Sequence, residues 1–265
     1  MRARLTVLGS GTSMGVPTVG CRCEVCRSTD PLDRRLRPSI LLEYEGRTVL
    51  IDSSPDFREQ ALRAGVRRID AVLYTHGHAD HIFGLDDLRP LTFPAVTGGP
   101  KVPLYANPAT AAVLRHVFDY IFEDSYKYGG LAQVELHEID TPFQLFGVTF
   151  EPLTVMHGDA PIFGYRFGKA AYLTDFSAVP PETMARLDGL EVLFLDALRH
   201  TPHPTHSTVA NSLEIAARLK PQLTCFTHIS HGLPHRATQA ALPDGVRLAY
   251  DGMQLDFEIA TAAGK

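Results

Sequence analysis

The stretch Ala71-Val72-Leu73-Tyr74-Thr75-His76-Gly77-His78-Ala79-Asp80-His81 decides how this chain is read. Its first four residues form an apolar run with the length and composition of a buried strand. Three histidines and an aspartate follow within the next turn. A strand end is rigid, and the turn after it can bring several side chains to one point. Imidazole and carboxylate together suit zinc, manganese or iron. Clusters of this kind are metal sites before they are ordinary polar turns.

The same placement recurs further along. His157 follows the apolar run Pro152 to Met156, Asp175 follows Ala171 to Thr174, and His228 follows Thr224 to Thr227. Any one of these alone reads as a solvated turn residue; their shared position makes a set. Together with His76, His78, Asp80 and His81 they are too many for one catalytic ion, which takes three protein ligands and a water. They divide into two groups sharing a bridging carboxylate, the donor set of a metal pair ~3.5–4 Å apart.

Strand and helix signals surround these points. Arg4 to Leu8 reads as a first strand. Ser39 to Tyr44 and Thr48 to Ile51 form a hairpin around Glu45-Gly46-Arg47. Ser54-Pro55 opens a helix that stops at Gly65. Val102 to Tyr105 is a short strand. Asn107-Pro108 opens a second helix with Ala112, Val113 and Val117 as its apolar face. The aromatic segment Asp119 to Gly130, with Tyr120, Phe122, Tyr126 and Tyr128, packs as a helix edge or walls a pocket. Gln133 to Ile139, Gln144 to Phe146 and Val148 to Val155 are strands, and Ile162 to Phe167 pairs with Ala170 to Leu173. Pro181 to Leu187 is a helix, Glu191 to Leu195 a strand that ends at Asp196. Ser207 caps a helix reaching Leu219, and Gln222 to Thr227 is a strand. Val246 to Tyr250 and Met253 to Ile259 are expected to pair as a hairpin through Asp251-Gly252. No linker or short repeat interrupts the pattern. Two sheets face to face with helices outside, residues 1–265 as one domain, is the simplest architecture.

Composition narrows the class. Of 265 residues, 45% are apolar and 21% charged, and the formal charge is −5, as in an ordinary soluble globular protein. A nucleic-acid footprint is usually strongly basic, so no nucleic-acid partner is expected. No run reaches the ~18 apolar residues of a membrane span, and the first apolar run is too short for a secretory signal. The expectation is a soluble, cytoplasmic protein without a membrane partner; a homodimer is the expected assembly.

Three of the four cysteines crowd into Cys21-Arg22-Cys23-Glu24-Val25-Cys26. Pairing two of them would close a very small, strained ring and leave the third over. A thiolate metal site in a reducing compartment explains them better. Spacing leaves Cys225, His231 and His235 open as the fourth ligand, although Cys225 lies within an apolar strand and reads as packed.

The pattern His-x-His-x-Asp-His with the later His, Asp and His resembles the metallo-β-lactamase superfamily over nearly the whole chain. That resemblance implies a four-layer αββα sandwich of the α/β (α+β) class. It implies that His76, His78, His157 and Asp175 hold one ion, that Asp80, His81, Asp175 and His228 hold the other, and that Asp175 bridges. Gly9-Ser10-Gly11-Thr12-Ser13-Met14-Gly15-Val16-Pro17, the Cys21-x-Cys23-x-x-Cys26 run, Thr227-His228-Ile229-Ser230-His231 and Asp251-Gly252-Met253 are similar to the phosphoribosyl 1,2-cyclic phosphate phosphodiesterases. The likeness to that branch implies a structural zinc on Cys21, Cys23, Cys26 and His231. It implies manganese at the paired site, with zinc as its rival, and His206 as general acid. Asp80 counts as a catalytic residue as well as a ligand.

Two motif matches in the glycine loop fail. Gly11-Thr12-Ser13-Met14-Gly15 fits a G-x-S-x-G nucleophile elbow, but no helix pattern follows it. A dinucleotide fingerprint fails for the same reason. A loop near the metals whose backbone N–H groups meet phosphate suits these residues better. The expected function is a metal-dependent phosphodiesterase on a small cyclic phosphate such as 5-phosphoribosyl 1,2-cyclic phosphate. A metal-activated hydroxide attacks phosphorus while His206 protonates the leaving oxygen. A thioesterase or lactonase of the same fold is the alternative. An RNA-end nuclease is opposed by the acidic balance, and a scaffold without catalysis by the intact ligand set. His200 and His203 are assigned to the surface or to support of the site; His116, His137 and His235 carry no role.

Overall fold

The structure is a computed structural model that describes residues 1–94, 98–99, 101–123 and 130–259. Tyr126 and Tyr128 of the aromatic segment lie outside the described residues. Among the described residues, fourteen strands form two sheets of seven. The first contains β1 (Arg2–Gly9), β2 (Ser39–Tyr44), β3 (Arg47–Ile51), β4 (Ala71–Leu73), β5 (Val102–Ala106), β6 (Val134–Glu138) and β14 (Gln254–Glu258), in the order β14-β1-β2-β3-β4-β5-β6. The second contains β7 (Phe143–Leu145), β8 (Val148–His157), β9 (Ala160–Phe167), β10 (Ala170–Leu173), β11 (Val192–Asp196), β12 (Leu223–Thr227) and β13 (Val246–Leu248), in the order β13-β12-β11-β10-β9-β8-β7.

Three apolar clusters hold the layers. One lies between the sheets and includes Leu5, Leu42, Tyr165 and Phe194. A second fills the outer face of the first sheet, with Leu50, Val72 and Leu104 under Phe57 and Leu114. The third does the same for the second sheet, with Leu193, Leu195 and Phe226 under Val209 and Met184. Three interfaces make four layers, αββα. The parallel strands read as unbroken apolar runs because both faces are covered. In β11, Val192 and Phe194 face the other sheet while Leu193 and Leu195 face the helices, as the two-residue period of a strand requires.

The described helices are α1 (Phe57–Ala64), α2 (Ala79–Ile82), α3 (Arg89–Thr92), α4 (Pro108–Val117), α5 (Asp119–Phe122), α6 (Pro181–Ala185), α7 (Val209–Leu219) and α8 (His235–Ala241). α1 starts later than Ser54-Pro55 suggests. Ser54 closes a preceding turn instead: its Oγ accepts from Asp56 N at 3.2 Å and its carbonyl from Phe57 N at 2.9 Å, the local competition that Ser side chains offer a helix. Gly65 then ends α1 in the left-handed conformation, φ 68°. The cap of α7 is Thr208, which accepts from Asn211 N at 3.1 Å. Ser207, the expected cap, is buried and bonds Ser212 Oγ at 2.7 Å.

Two expectations fail in instructive ways. α4 buries Thr110, Ala111 and Leu114, not Ala112, Val113 and Val117. The stripe continues to Phe118, and this phase is the one that meets the sheet. Val113 instead lies against Gly77, where an added Cβ would sit 3.1 Å from Val113 Cβ. The expected hairpin through Asp251-Gly252 does not exist: β13 pairs with β12, and β14 pairs with β1 in the other sheet. The Asp251 carboxylate accepts from Ser10 N, Ser10 Oγ and Leu36 N, each at 2.8 Å. Those bonds pull the turn onto the first sheet, so it becomes a crossover between layers.

Candidate metal centres

The site is built at strand ends. β10, β11 and β12 run parallel, and Leu173 is in register with Leu195, and Asp196 with Thr227. Asp175, Asp196 and His228 therefore emerge side by side at their carboxyl ends, where open α/β sheets present ligands. β8 ends at His157, and β4 leads into His76, with α2 carrying Asp80 and His81. Asp175 and His228 have φ of 57° and 56°, in the left-handed region that residues with a side chain rarely adopt. Such backbone strain concentrates at functional sites.

The side chains form two adjoining groups of donors: His76, His78 and His157 in one, and Asp80, His81, Asp175 and His228 in the other. His76 Nε2 lies 3.0 Å from His78 Nδ1. His81 Nε2 lies 3.1 Å from Asp80 Oδ2 and 3.4 Å from Asp175 Oδ1. Asp175 Oδ2 is 3.2 Å from His228 Nε2 and 3.9 Å from His76 Nε2. Asp175 thus touches both groups. Donors about 2.1 Å from a shared ion stand roughly 3.0–3.4 Å apart, so the spacing fits. Asp80 Oδ2, His81 Nε2 and both ring nitrogens of His228 are buried without a hydrogen-bond partner. Such orphans are costly in a folded interior, and divalent cations would satisfy the ones that converge. The residues present fit a pair of metal ions.

Charge tells the same story. Against burial, His81 and His228 hold the Asp80 carboxyl well below the usual range. Asp175 is held low against burial by His228 and His81. In return, and again against burial, Asp80 and Asp175 raise His81 well above its ordinary value, and Asp175 and Asp80 raise His228 to about 9. Burial lowers His76 and His157, leaving neutral imidazoles with free lone pairs.

Supporting bonds fix which nitrogen is free. His157 Nδ1–H donates to the carbonyls of Asp175 at 2.6 Å and Thr205 at 2.9 Å, so Nε2 faces the site as an acceptor. Asp52 holds His81 Nδ1 at 2.7 Å while accepting from Thr75 N and Thr75 Oγ1, both at 2.8 Å. Partners of this kind orient a ligating imidazole. The sequence reading overlooked Asp52, although it follows the apolar strand β3 just as Asp175 and His228 follow theirs. Its φ of 62° matches theirs too.

Asp196 was also overlooked as a working residue. Its Oδ2 lies 2.7 Å from His206 Nδ1. His206 stacks on His228 with ring centroids 4.6 Å apart and meets His157 edge-on at 4.8 Å. Burial and the His228 imidazole push His206 down to about 4, and burial pushes Asp196 up. Nδ1 is engaged by Asp196, so Nε2 is the ring nitrogen left to exchange a proton with a bound group.

The second expected centre is also assembled. Cys21 Sγ, Cys23 Sγ and Cys26 Sγ lie 3.3, 3.7 and 3.3 Å from His231 Nδ1. Tetrahedral zinc with sulfur and nitrogen ligands sets that edge at about 3.6 Å. Cys225 is fully buried in the apolar core, and buried His235 donates its backbone N–H to Asp33; neither joins the cluster. Buried Arg35 clamps the same loop, donating to the carbonyls of Ser230 at 2.9 Å and Leu233 at 2.7 Å. The glycine loop lies alongside, with Thr12 N bonded to Ile229 O at 3.2 Å and Ile229 N to Ser10 O at 2.9 Å. No helix follows Gly15, as expected.

Residues 47–229 match the beta-lactamase superfamily domain. A crystal structure described as a new diphosphatase from the PhnP family is 62% identical, covers 98% of both chains and superposes with a TM-score of 0.93. The octanoyltransferase of Porphyromonas gingivalis is 40% identical over 95% of this chain and 51% of its own length. Coenzyme PQQ synthesis protein B of Methylorubrum extorquens is 35% identical over 51% of this chain and 48% of its own. The chain spans about half the length of these curated relatives. No helix among the described residues is long and apolar enough to cross a membrane.

Proposed function

The chain belongs to the PhnP family of the beta-lactamase superfamily and is a metal-dependent hydrolase, and from that premise we propose that it opens a small cyclic phosphodiester such as 5-phosphoribosyl 1,2-cyclic phosphate. The observation that carries this reading is the Asp196–His206 pair set directly against the converging donors. A phosphodiester with an alkoxide leaving group needs a proton delivered as the P–O bond breaks. A thiolate needs none, so the pair speaks against the thioesterase alternative.

His76, His78 and His157 with Asp175 hold one ion, and Asp80, His81 and His228 with Asp175 the other. When bound, the pair supplies Lewis acidity and an activated water. Manganese and zinc both suit this nitrogen and oxygen set. Cys21, Cys23, Cys26 and His231 hold a structural zinc that ties the N-terminal loop to the His228 loop. Asp196 keeps His206 oriented, and His206 gives its Nε2 proton to the departing sugar oxygen. His228 stacks on the His206 ring and His157 meets it edge-on, which holds the ring in place.

A phosphoanhydride substrate is a second reading, favoured by the 62% identical relative described as a diphosphatase. The same pair would protonate a departing phosphate. The octanoyltransferase name belongs to a protein about twice as long as the part this chain matches.

The test is His206→Ala with two diesters. Turnover of an alkyl diester should fall by roughly 10²–10⁴ while a nitrophenyl diester, whose leaving group needs no proton, is largely spared. Metal content should not change. Equal loss on both diesters refutes the acid role.

A further inference from the structure

Three of the strand-end ligands share a neighbour. Thr75 precedes His76, Thr174 precedes Asp175 and Thr227 precedes His228. Each threonine follows an apolar strand or ends one, and each is fully buried. A buried hydroxyl calls for a hydrogen-bond partner, and the three differ in what they find. Thr75 Oγ1 donates to Asp52 Oδ2 at 2.8 Å, behind the ligand His81. Thr227 Oγ1 has no partner among the described residues. Thr174 Oγ1 donates to Oδ1 of Asp175, the carboxylate that touches both groups of donors.

That last bond depends on the backbone. Successive side chains on a strand point to opposite faces, which would part Thr174 from Asp175. β10 ends at Leu173, however, and Asp175 turns into the left-handed region at φ 57°. The turn breaks the alternation and lets the two side chains meet. Threonine is branched at Cβ, so few rotamers are open to it and its hydroxyl keeps one direction. A carboxylate by contrast turns easily about its last bond, where rotation is broad and two-fold. Thr174 engages Oδ1, with His81 Nε2 3.4 Å from the same oxygen. Oδ2 then faces His228 Nε2 at 3.2 Å and His76 Nε2 at 3.9 Å, one nitrogen from each group.

We propose that Thr174 is a positioning residue for the metal pair: its hydroxyl fixes the rotation of Asp175, so that one oxygen, Oδ2, is presented between the two groups of donors. Thr174 does for the bridging carboxylate what Asp52 does for His81. Without the hydroxyl the carboxylate is free to turn, and the two ions lose the ligand that joins them. The proposal rests on the metal pair of the hydrolase reading and is independent of its substrate.

The experiment titrates the full chain, stripped of its paired ions, with manganese in the presence of a competing chelator. Thr174→Val keeps the shape and removes the hydroxyl; Thr174→Ser keeps the hydroxyl. Thr227→Val serves as the control, since it removes a buried hydroxyl beside a ligand that bonds nothing. Thr174→Val should weaken manganese binding by about 10–100-fold, the usual effect of losing a group that orients a ligand. Thr174→Ser should recover most of the affinity, and Thr227→Val should match the wild type. The EPR spectrum gives a second reading, because two manganese ions sharing a carboxylate are exchange-coupled and isolated ions are not. The wild type and Thr174→Ser should show the coupled spectrum, and Thr174→Val should lose it in favour of isolated ions. Unchanged affinity and coupling in Thr174→Val overturn the proposal. So does an equal loss in Thr174→Ser or in Thr227→Val, which would assign the effect to packing, and so does a wild type without coupling. Should Thr174→Val fail to fold, Thr174→Ala against Thr174→Ser makes the same comparison. No substrate is needed, so failure of the phosphodiesterase reading leaves this result standing, and its own failure leaves that reading untouched.

Discussion

His206 Nδ1 and Asp196 Oδ2 stand 2.7 Å apart, and the carboxylate is completely buried at the end of β11. A buried carboxylate in that position fixes the tautomer of its imidazole and balances the charge that appears on it. Asp196→Asn keeps the shape but presents an amide to Nδ1. The variant should retain its metals and lose roughly a thousandfold in kcat on an alkyl diester. Steady-state kinetics with metal analysis checks this; a variant with normal turnover removes Asp196 from the mechanism.

Asp52 occupies the equivalent place behind a ligand. Its bond to His81 Nδ1 directs Nε2 at the donors. Asp52→Asn should weaken metal binding by about 10–100-fold. Competition with a chelator measures it, and unchanged affinity means His81 is oriented by packing alone.

Metal binding should release protons. With the ions removed, His81 is raised well above its ordinary value and His228 to about 9. Both are therefore protonated at pH 7, and each must give up the Nε2 proton before it can ligate. Loading the paired site at pH 7 should release about two protons per chain. As pH rises through the raised values, the release should fall toward zero. Calorimetry in buffers of different ionisation enthalpy reads the number, and no release at pH 7 would show that His81 and His228 are already neutral before the ions bind.

The cysteine cluster predicts a different loss. Cys23→Ser should remove about one zinc per chain and lower the thermal midpoint, because the cluster closes a loop from Cys21 to His231 and metal binding is coupled to that ordering. Unchanged zinc content would rule out the site.

Much of this site was legible because the ligands sit one or two residues past apolar strands, a local signal. The count of donors alone called for two ions. Asp52 follows the same rule after β3, but the family pattern that singles out Asp175 does not extend to it. Asp196 was noticed only as the end of a strand, since its partner is set by the path of a proline-rich loop. The Asp251-Gly252 turn shows the limit most clearly. Its local sequence is that of a hairpin, yet three bonds from Ser10 and Leu36 decide that its two strands join different sheets. The face of α4 was misjudged for a similar reason: Val113 serves Gly77 of the metal turn, a contact across elements.

The most direct test of the account is turnover of the purified protein, with its metals measured in the same sample, on a cyclic ribose phosphate, a linear diester, a thioester and a lactone. Selective hydrolysis of the cyclic phosphate by protein holding a metal pair is the expected result. Selective hydrolysis of the thioester, or full activity after the paired metals are removed, would contradict it.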